Sequence, residues 1–225
     1  MGVKERPILF SGPMVRAILG GRKTQTRRVV KPQPPKEFLT GDVAAITNGE
    51  RWSLSKMPGR KAWHPDPHPG ILCPYGQPGD RLWARETWGA HFMWNGVPPA
   101  QIPNDGRTCL FYKADGAIVR GCESSQVTKW RPSINMPRWA SRITLEITGV
   151  RVERLNKISE TDAAAEGIAI RRSAYGIYEC KLPDGKTHFD DSAVDLFRKL
   201  WESINGPGSF DSRWVWVLEF RRIDA

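Results

Sequence analysis

The chain has 225 residues, enough for one large domain or for one domain carrying a substantial insertion. Hydrophobic residues make up 40 % and there are ten tryptophans, which excludes a disordered chain. Eighteen prolines and twenty-one glycines argue against long uninterrupted helices. The net charge is +10, and residues 1–36 hold nine cations against one acid, Glu5. Such a field attracts phosphates and nucleic acid, or serves solubility, and charge by itself does not separate the two.

Pro7 to Phe10 reads as a short apolar strand. Ser11-Gly12-Pro13 then offers a cap and a proline at the first helical position. Met14, Val15, Ala17, Ile18 and Leu19 supply the apolar face of a helix of about two turns, closed by Gly20-Gly21. Thr24 to Val30 alternates and reads as the strand leaving that turn. Residues 36–78 show little periodicity and contain His64-Pro-Asp-Pro-His-Pro-Gly70, so an irregular insertion is expected. The spacing of His64, His68 and Cys73 is that of a loop rather than of zinc ligands, and no metal is expected.

Gln77-Pro-Gly-Asp80 is a turn that delivers a strand, Arg81 to Trp88. Period two puts Leu82, Ala84, Glu86 and Trp88 on one face and Arg81, Trp83, Arg85 and Thr87 on the other. Leu110 to Lys113 is a further short strand. Arg142 to Leu155 is the longest β signal, and its apolar positions change phase at Thr148-Gly149, which predicts a bulge or a bend between two strands. Ser159-Glu-Thr-Asp162 has the capping-box pattern and opens a short helix that Gly167 ends. Residues 168–188 read as a second irregular region. Asp190 and Asp191 begin a helix with Val194, Phe197, Leu200, Trp201 and Ile204 on one face, ended by Asn205-Gly206. Trp214 to Arg221 is the last strand. Trp201, Trp214 and Trp216 are expected in the core.

Cys73, Cys109, Cys122 and Cys180 are widely spaced, with no Cys-x-x-Cys. The first residues lack an apolar signal core, and no stretch reaches the length of a transmembrane helix. The expectation is a cytoplasmic protein with free thiols and no membrane association. Arg6 stands where a myristoylation motif requires Ser or Thr.

This order of elements resembles the ASCH domain, a PUA-like β-barrel, in three patches. They are Gly21-Arg-Lys-Thr-Gln-Thr-x-Arg28, Gly79-Asp80 before a strand, and Ile158-Ser-Glu-Thr-Asp-Ala-Ala-Ala-Glu-Gly167. The extended form is similar to ASCH-like proteins of phages and prophages. The resemblance implies an α+β fold: a single PUA-like β-barrel domain over 1–225, with short flanking helices and insertions at about 36–78 and 168–188. One bacterial branch of the family consists of amidohydrolases that remove the acyl group from N4-acetylcytidine. Its working Lys, Thr and Glu fall on Lys23, Thr26 and Glu166, with the Gly21–Arg28 turn as the lip of the pocket.

Amide hydrolysis needs a nucleophile, a base and an acid for the leaving amine. A threonine hydroxyl does not ionise unaided, so Lys23 acts as base only with its pKa depressed, a direction in which Arg22, Arg27, Arg28 and burial all push. The alternative is an ion pair in which Glu166 holds Lys23 charged for oxyanion stabilisation. Arg22, Arg28, Arg85 and Glu86 are the candidate substrate contacts. Trp83 and Trp88 are the candidate stacking surfaces for a base. The expected function is thus a metal-independent, cofactor-free amidohydrolase acting on a modified pyrimidine nucleoside. The rivals are an RNA or modified-base reader and a metal-independent ribonuclease. The sequence assigns no oligomeric state.

Overall fold

The computed structural model describes residues 2–34, 44–47, 51–55, 62–63, 71–119, 129–168, 171–172, 177–181, 186–211 and 213–223. His64 and His68 lie outside them. In chain order the strands are β1 (Glu5–Leu9), β2 (Gln25–Val29), β3 (Ala44–Thr47), β4 (Arg51–Ser55), β5 (Ala62–Trp63), β6 (Ile71–Leu72), β7 (Arg81–Arg85) and β8 (Trp88–Ala90). There follow β9 (Leu110–Tyr112), β10 (Ile118–Val119), β11 (Thr144–Arg154), β12 (Arg171–Arg172), β13 (Tyr178–Lys181), β14 (Thr187–Asp190) and β15 (Trp214–Ile223). The helices are α1 (Gly12–Leu19), α2 (Glu160–Ala165) and α3 (Ala193–Asn205). The fold is mixed α+β, and no strand ladder closes into a barrel among the described residues.

The chain divides into two compact units, each discontinuous in sequence. The first holds residues 1–21, 80–146 and 222–225. In it β1 pairs in parallel with β7, and β7 pairs antiparallel with the start of β11. Asp80 ties the first two together, because its carboxylate accepts from Lys4 N at 3.1 Å and from Arg6 Nη1 at 2.9 Å. Helix α1 starts at Gly12 with Pro13 in its first turn, buries Val15, Ala17 and Ile18, and ends at Gly20. β8, β9 and β10 form a small antiparallel sheet over an apolar cluster of Trp88, Leu110, Tyr112, Met136 and Ala140.

The strand expected over Arg81–Trp88 is two strands. β7 stops at Arg85, and β8 starts at Trp88 in a different sheet. Between the two strands lies Glu86, whose buried carboxylate is taken up by Arg142 in a two-pronged pair at 2.8 and 3.0 Å.

The second unit holds residues 22–79 and 147–221. β15 pairs antiparallel with β2 and neighbours β11. β11 runs without interruption from Thr144 to Arg154, so the phase change at Thr148-Gly149 divides no pair of strands. Its cause lies in what the two faces meet. Val150 and Val152 pack with Val30, Trp214 and Trp216, while Arg151 and Glu153 on the alternate positions enter an ionic network. The switch of apolar positions thus coincides with a change in what each face of β11 meets.

Both stretches expected to be irregular contain paired strands. β3, β4, β5 and β6 form one antiparallel sheet, and β12, β13 and β14 form another. These strands run for two to five residues, too short for a period-two signal to stand out. Helix α3 begins one turn later than expected, since Asp190 belongs to β14 and the cap is Ser192, whose hydroxyl accepts from Asp195 N at 3.2 Å. Its buried face is Ala193, Leu196, Phe197 and Trp201, and Ile204 is exposed.

Trp201, Trp214 and Trp216 are buried. Cys73 is a free thiol, but Cys109 is disulfide-bonded, which corrects the expectation of four free thiols. Among the described residues, no helix is long and apolar enough to cross a membrane.

Candidate functional site

The second unit gathers the family-like segment and the capped helix at one place. Ser159 caps α2 by accepting from Asp162 N at 3.1 Å, and Gly167, at a φ of 84°, turns the chain away after Glu166. Glu166 is thereby fixed at the C-cap, where it forms an antiparallel bridge with Lys23. Thr24 continues the contact by donating its N–H to Ala165 O at 3.0 Å and accepting from Phe220 N at 2.9 Å.

Side chains follow the backbone. The Lys23 ammonium donates to Glu166 Oε2, Glu166 O and Gln25 O, each at 2.8 Å. Three acceptors match its three N–H groups. Lys23 is 2 % exposed and Glu166 4 %. One acceptor is the backbone carbonyl at the helix C-terminus, where the helix dipole also favours a cation. Burial pushes the Lys23 pKa down, the Glu166 carboxylate opposes it, and Arg28 and Arg27 add to the fall. Lys23 and Glu166 stand as a buried pair, with Nζ 2.8 Å from Oε2.

The other Glu166 oxygen, Oε1, accepts from Arg27 Nη1 at 3.1 Å. Arg27 also donates to Gln25 Oε1, Glu153 and Asp162, and Asp162 in turn takes Gln25 and Arg151. Burial alone would raise the Asp162 pKa, but Gln25, Arg27 and Arg151 outweigh it and hold it low. Thr26 is buried on β2 opposite Leu218. Arg28 is half-buried on the same strand. Burial lowers its pKa, while Tyr75 and Glu166 oppose that. Tyr75 is raised by burial, with Arg28 opposing. Arg22 is exposed.

The remaining expected contacts lie in the first unit. Trp83 is buried, with the Arg85 guanidinium stacked 4.6 Å from its ring. Arg85 also donates to Ile134 O at 3.2 Å. Glu86 is held by Arg142, which also binds Asp115 and lies 4.1 Å over the Tyr112 ring. Burial raises the Glu86 pKa against the pull of Arg142. Trp88 is fully buried in its apolar cluster, with Arg131 5.7 Å from its ring.

Sequence reasoning brought Lys23 and Glu166 to one site but missed Gln25, Asp162, Glu153 and Arg151, and read Arg27 only as a neighbouring charge. Gln25 and Arg27 share one face of β2, and Asp162 stands one helical turn before Glu166. Those spacings are the signals that were available. No family model, curated protein or solved structure matches the chain.

Proposed function

We propose that the protein is a metal-independent and cofactor-free amidohydrolase that removes the acyl group from N4-acetylcytidine-like pyrimidine nucleosides, on a PUA-like ASCH scaffold. The observation that supports this reading most is the buried 2.8 Å contact between Lys23 and Glu166, two side chains 143 positions apart in the chain. Thr26 is three residues from Lys23 on the same segment.

The chemistry starts from the ion pair. Passing one proton from Lys23 to Glu166 gives a neutral amine and a neutral carboxylic acid, and burial favours that exchange by lowering Lys23. The amine takes the Thr26 hydroxyl proton as the oxygen attacks the acyl carbonyl. Glu166 then protonates N4 as the C–N bond breaks, which releases cytidine, leaves an acyl-threonine ester and restores the ion pair. A second proton exchange lets Lys23 deprotonate water, and Glu166 returns a proton to Thr26 as the carboxylic acid departs. Arg22 and Arg28, on the same segment as Lys23 and Thr26, serve the substrate in this scheme. Such a substrate places the protein in the cytoplasm. The Cys109 disulfide weighs against that location, because reducing compartments keep such bonds open.

A second reading is favoured by a specific observation: the Lys23 ammonium spends its three N–H groups on protein acceptors, and both Glu166 carboxylate oxygens accept from protein cations. A site of that kind holds a shape rather than reacting, and it fits a module that reads RNA or a modified base. The test is to incubate purified protein with N4-acetylcytidine and follow products by chromatography. The hydrolase reading expects cytidine and acetate in equal amounts. Unconverted substrate overturns it, and shortened RNA in a parallel metal-free incubation would indicate the ribonuclease instead.

A further inference from the structure

The side chain that organises the site is none of the three assigned to chemistry. Arg27 has five N–H groups, and five hydrogen bonds account for them. Nε and Nη2 donate to Glu153 Oε1 at 3.1 and 2.5 Å. Nη2 also reaches Asp162 Oδ2 at 3.0 Å, and Nη1 is divided between Gln25 Oε1 at 2.6 Å and Glu166 Oε1 at 3.1 Å. The guanidinium is buried, and its central carbon lies 5.9 Å from the Phe197 ring. Glu153 and Asp162 are themselves tied by Arg151, at 3.0 and 2.9 Å. The fork is thus held from strand β11 and helix α2 at once and presents one N–H to one oxygen of Glu166.

We propose that Arg27 is a positioning residue for the Lys23–Glu166 pair: it clamps Glu166 Oε1, fixes the carboxylate plane, and leaves Oε2 alone to exchange a proton with Lys23. This rests on the hydrolase reading of the same site. Lysine at position 27 keeps the charge but has no planar fork, and one ammonium cannot reach four side chains at these angles. Glutamine loses the charge as well. Removing a cation beside the pair raises the proton affinity of Lys23, which then titrates at higher pH.

The experiment compares Arg27→Lys and Arg27→Gln with the parent protein, at equal folded fraction by circular dichroism. In both variants kcat for cytidine release falls about 100-fold, as for misplacement of a reacting group, with KM little changed. Arg27→Gln also shifts the pH profile of kcat to higher pH, whereas Arg27→Lys does not. A second readout does not depend on turnover: the Lys23 side-chain NMR signal titrates at higher pH in Arg27→Gln than in the parent. Parent-like kcat and an unmoved Lys23 titration in folded Arg27→Gln would overturn the proposal. A parent protein that releases no cytidine, with the Lys23 titration still moved by Arg27→Gln, would sink the hydrolase reading and leave the clamp standing. If Arg27→Gln does not fold, Arg27→Lys decides on kcat alone, and parent-like turnover overturns the proposal.

Discussion

Taking either partner out of the Lys23–Glu166 pair strands a buried charge, and breaking such a pair costs about 3–5 kcal/mol. Lys23→Ala is therefore a poor probe of catalysis, because it removes the three-way contact of the ammonium along with any chemistry. Neutral substitutions of matching size keep the packing and remove only the charge. Lys23→Met and Glu166→Gln are each expected to lower unfolding free energy in urea by several kcal/mol, about 3–5 on the same basis. The double variant is expected to lose less than the sum, since neither residue then faces an unpaired partner. Additive losses would show that the two side chains do not depend on each other. The first-unit pair of Glu86 and Arg142 follows the same logic, and it explains why a carboxylate that looked suited to reading a base is already fully engaged. An acid and an arginine in a buried strand were legible; which of them would satisfy the other was not, because Arg142 is 56 residues away.

At the scale of elements, α2 carries two carboxylates that the network uses, Asp162 at its start and Glu166 at its end. Asp162 gives the clearest pH signature. Its pKa is depressed in the fold, so its stabilisation is present above the unfolded value of about 3.9 and is lost as pH falls through the lower folded value. Melting temperature should drop over that acidic range, and Asp162→Asn should flatten the drop. An equally steep acid limb in the variant would assign it to other groups. The capped helix, the Gly20 stop and the closing strand were legible because each carries local chemistry at fixed spacing: Ser159 with Asp162, Pro13 with Gly20, and five consecutive buried residues from Trp214 to Leu218. The continuity of β11 was not legible. Arg151 and Glu153 pair with each other, but they also face Asp162 and Arg27 from other elements, which the strand's own sequence does not announce.

For the whole molecule, the +10 charge leaves open whether the natural ligand is a neutral nucleoside or a polyanion. Salt separates them. Raising it from roughly 50 to 200 mM should leave the KM for a free nucleoside nearly unchanged, whereas RNA held by several arginines would weaken about tenfold or more. A steep salt dependence of nucleoside turnover would contradict the nucleoside reading. The Gly21–Arg28 segment was the most informative part of the sequence, yet its charge proved less telling than its contacts: Arg22 is exposed, while Lys23 and Arg27 are buried and fully partnered. The central claim is that this buried pair performs acyl transfer. Its most direct test is the rate of cytidine release from N4-acetylcytidine by the parent protein and by Glu166→Gln, each normalised to folded protein. The account predicts steady release by the parent and a loss of at least about 100-fold in the variant, in the range of a missing general acid. Release by folded Glu166→Gln at the parent rate would contradict it.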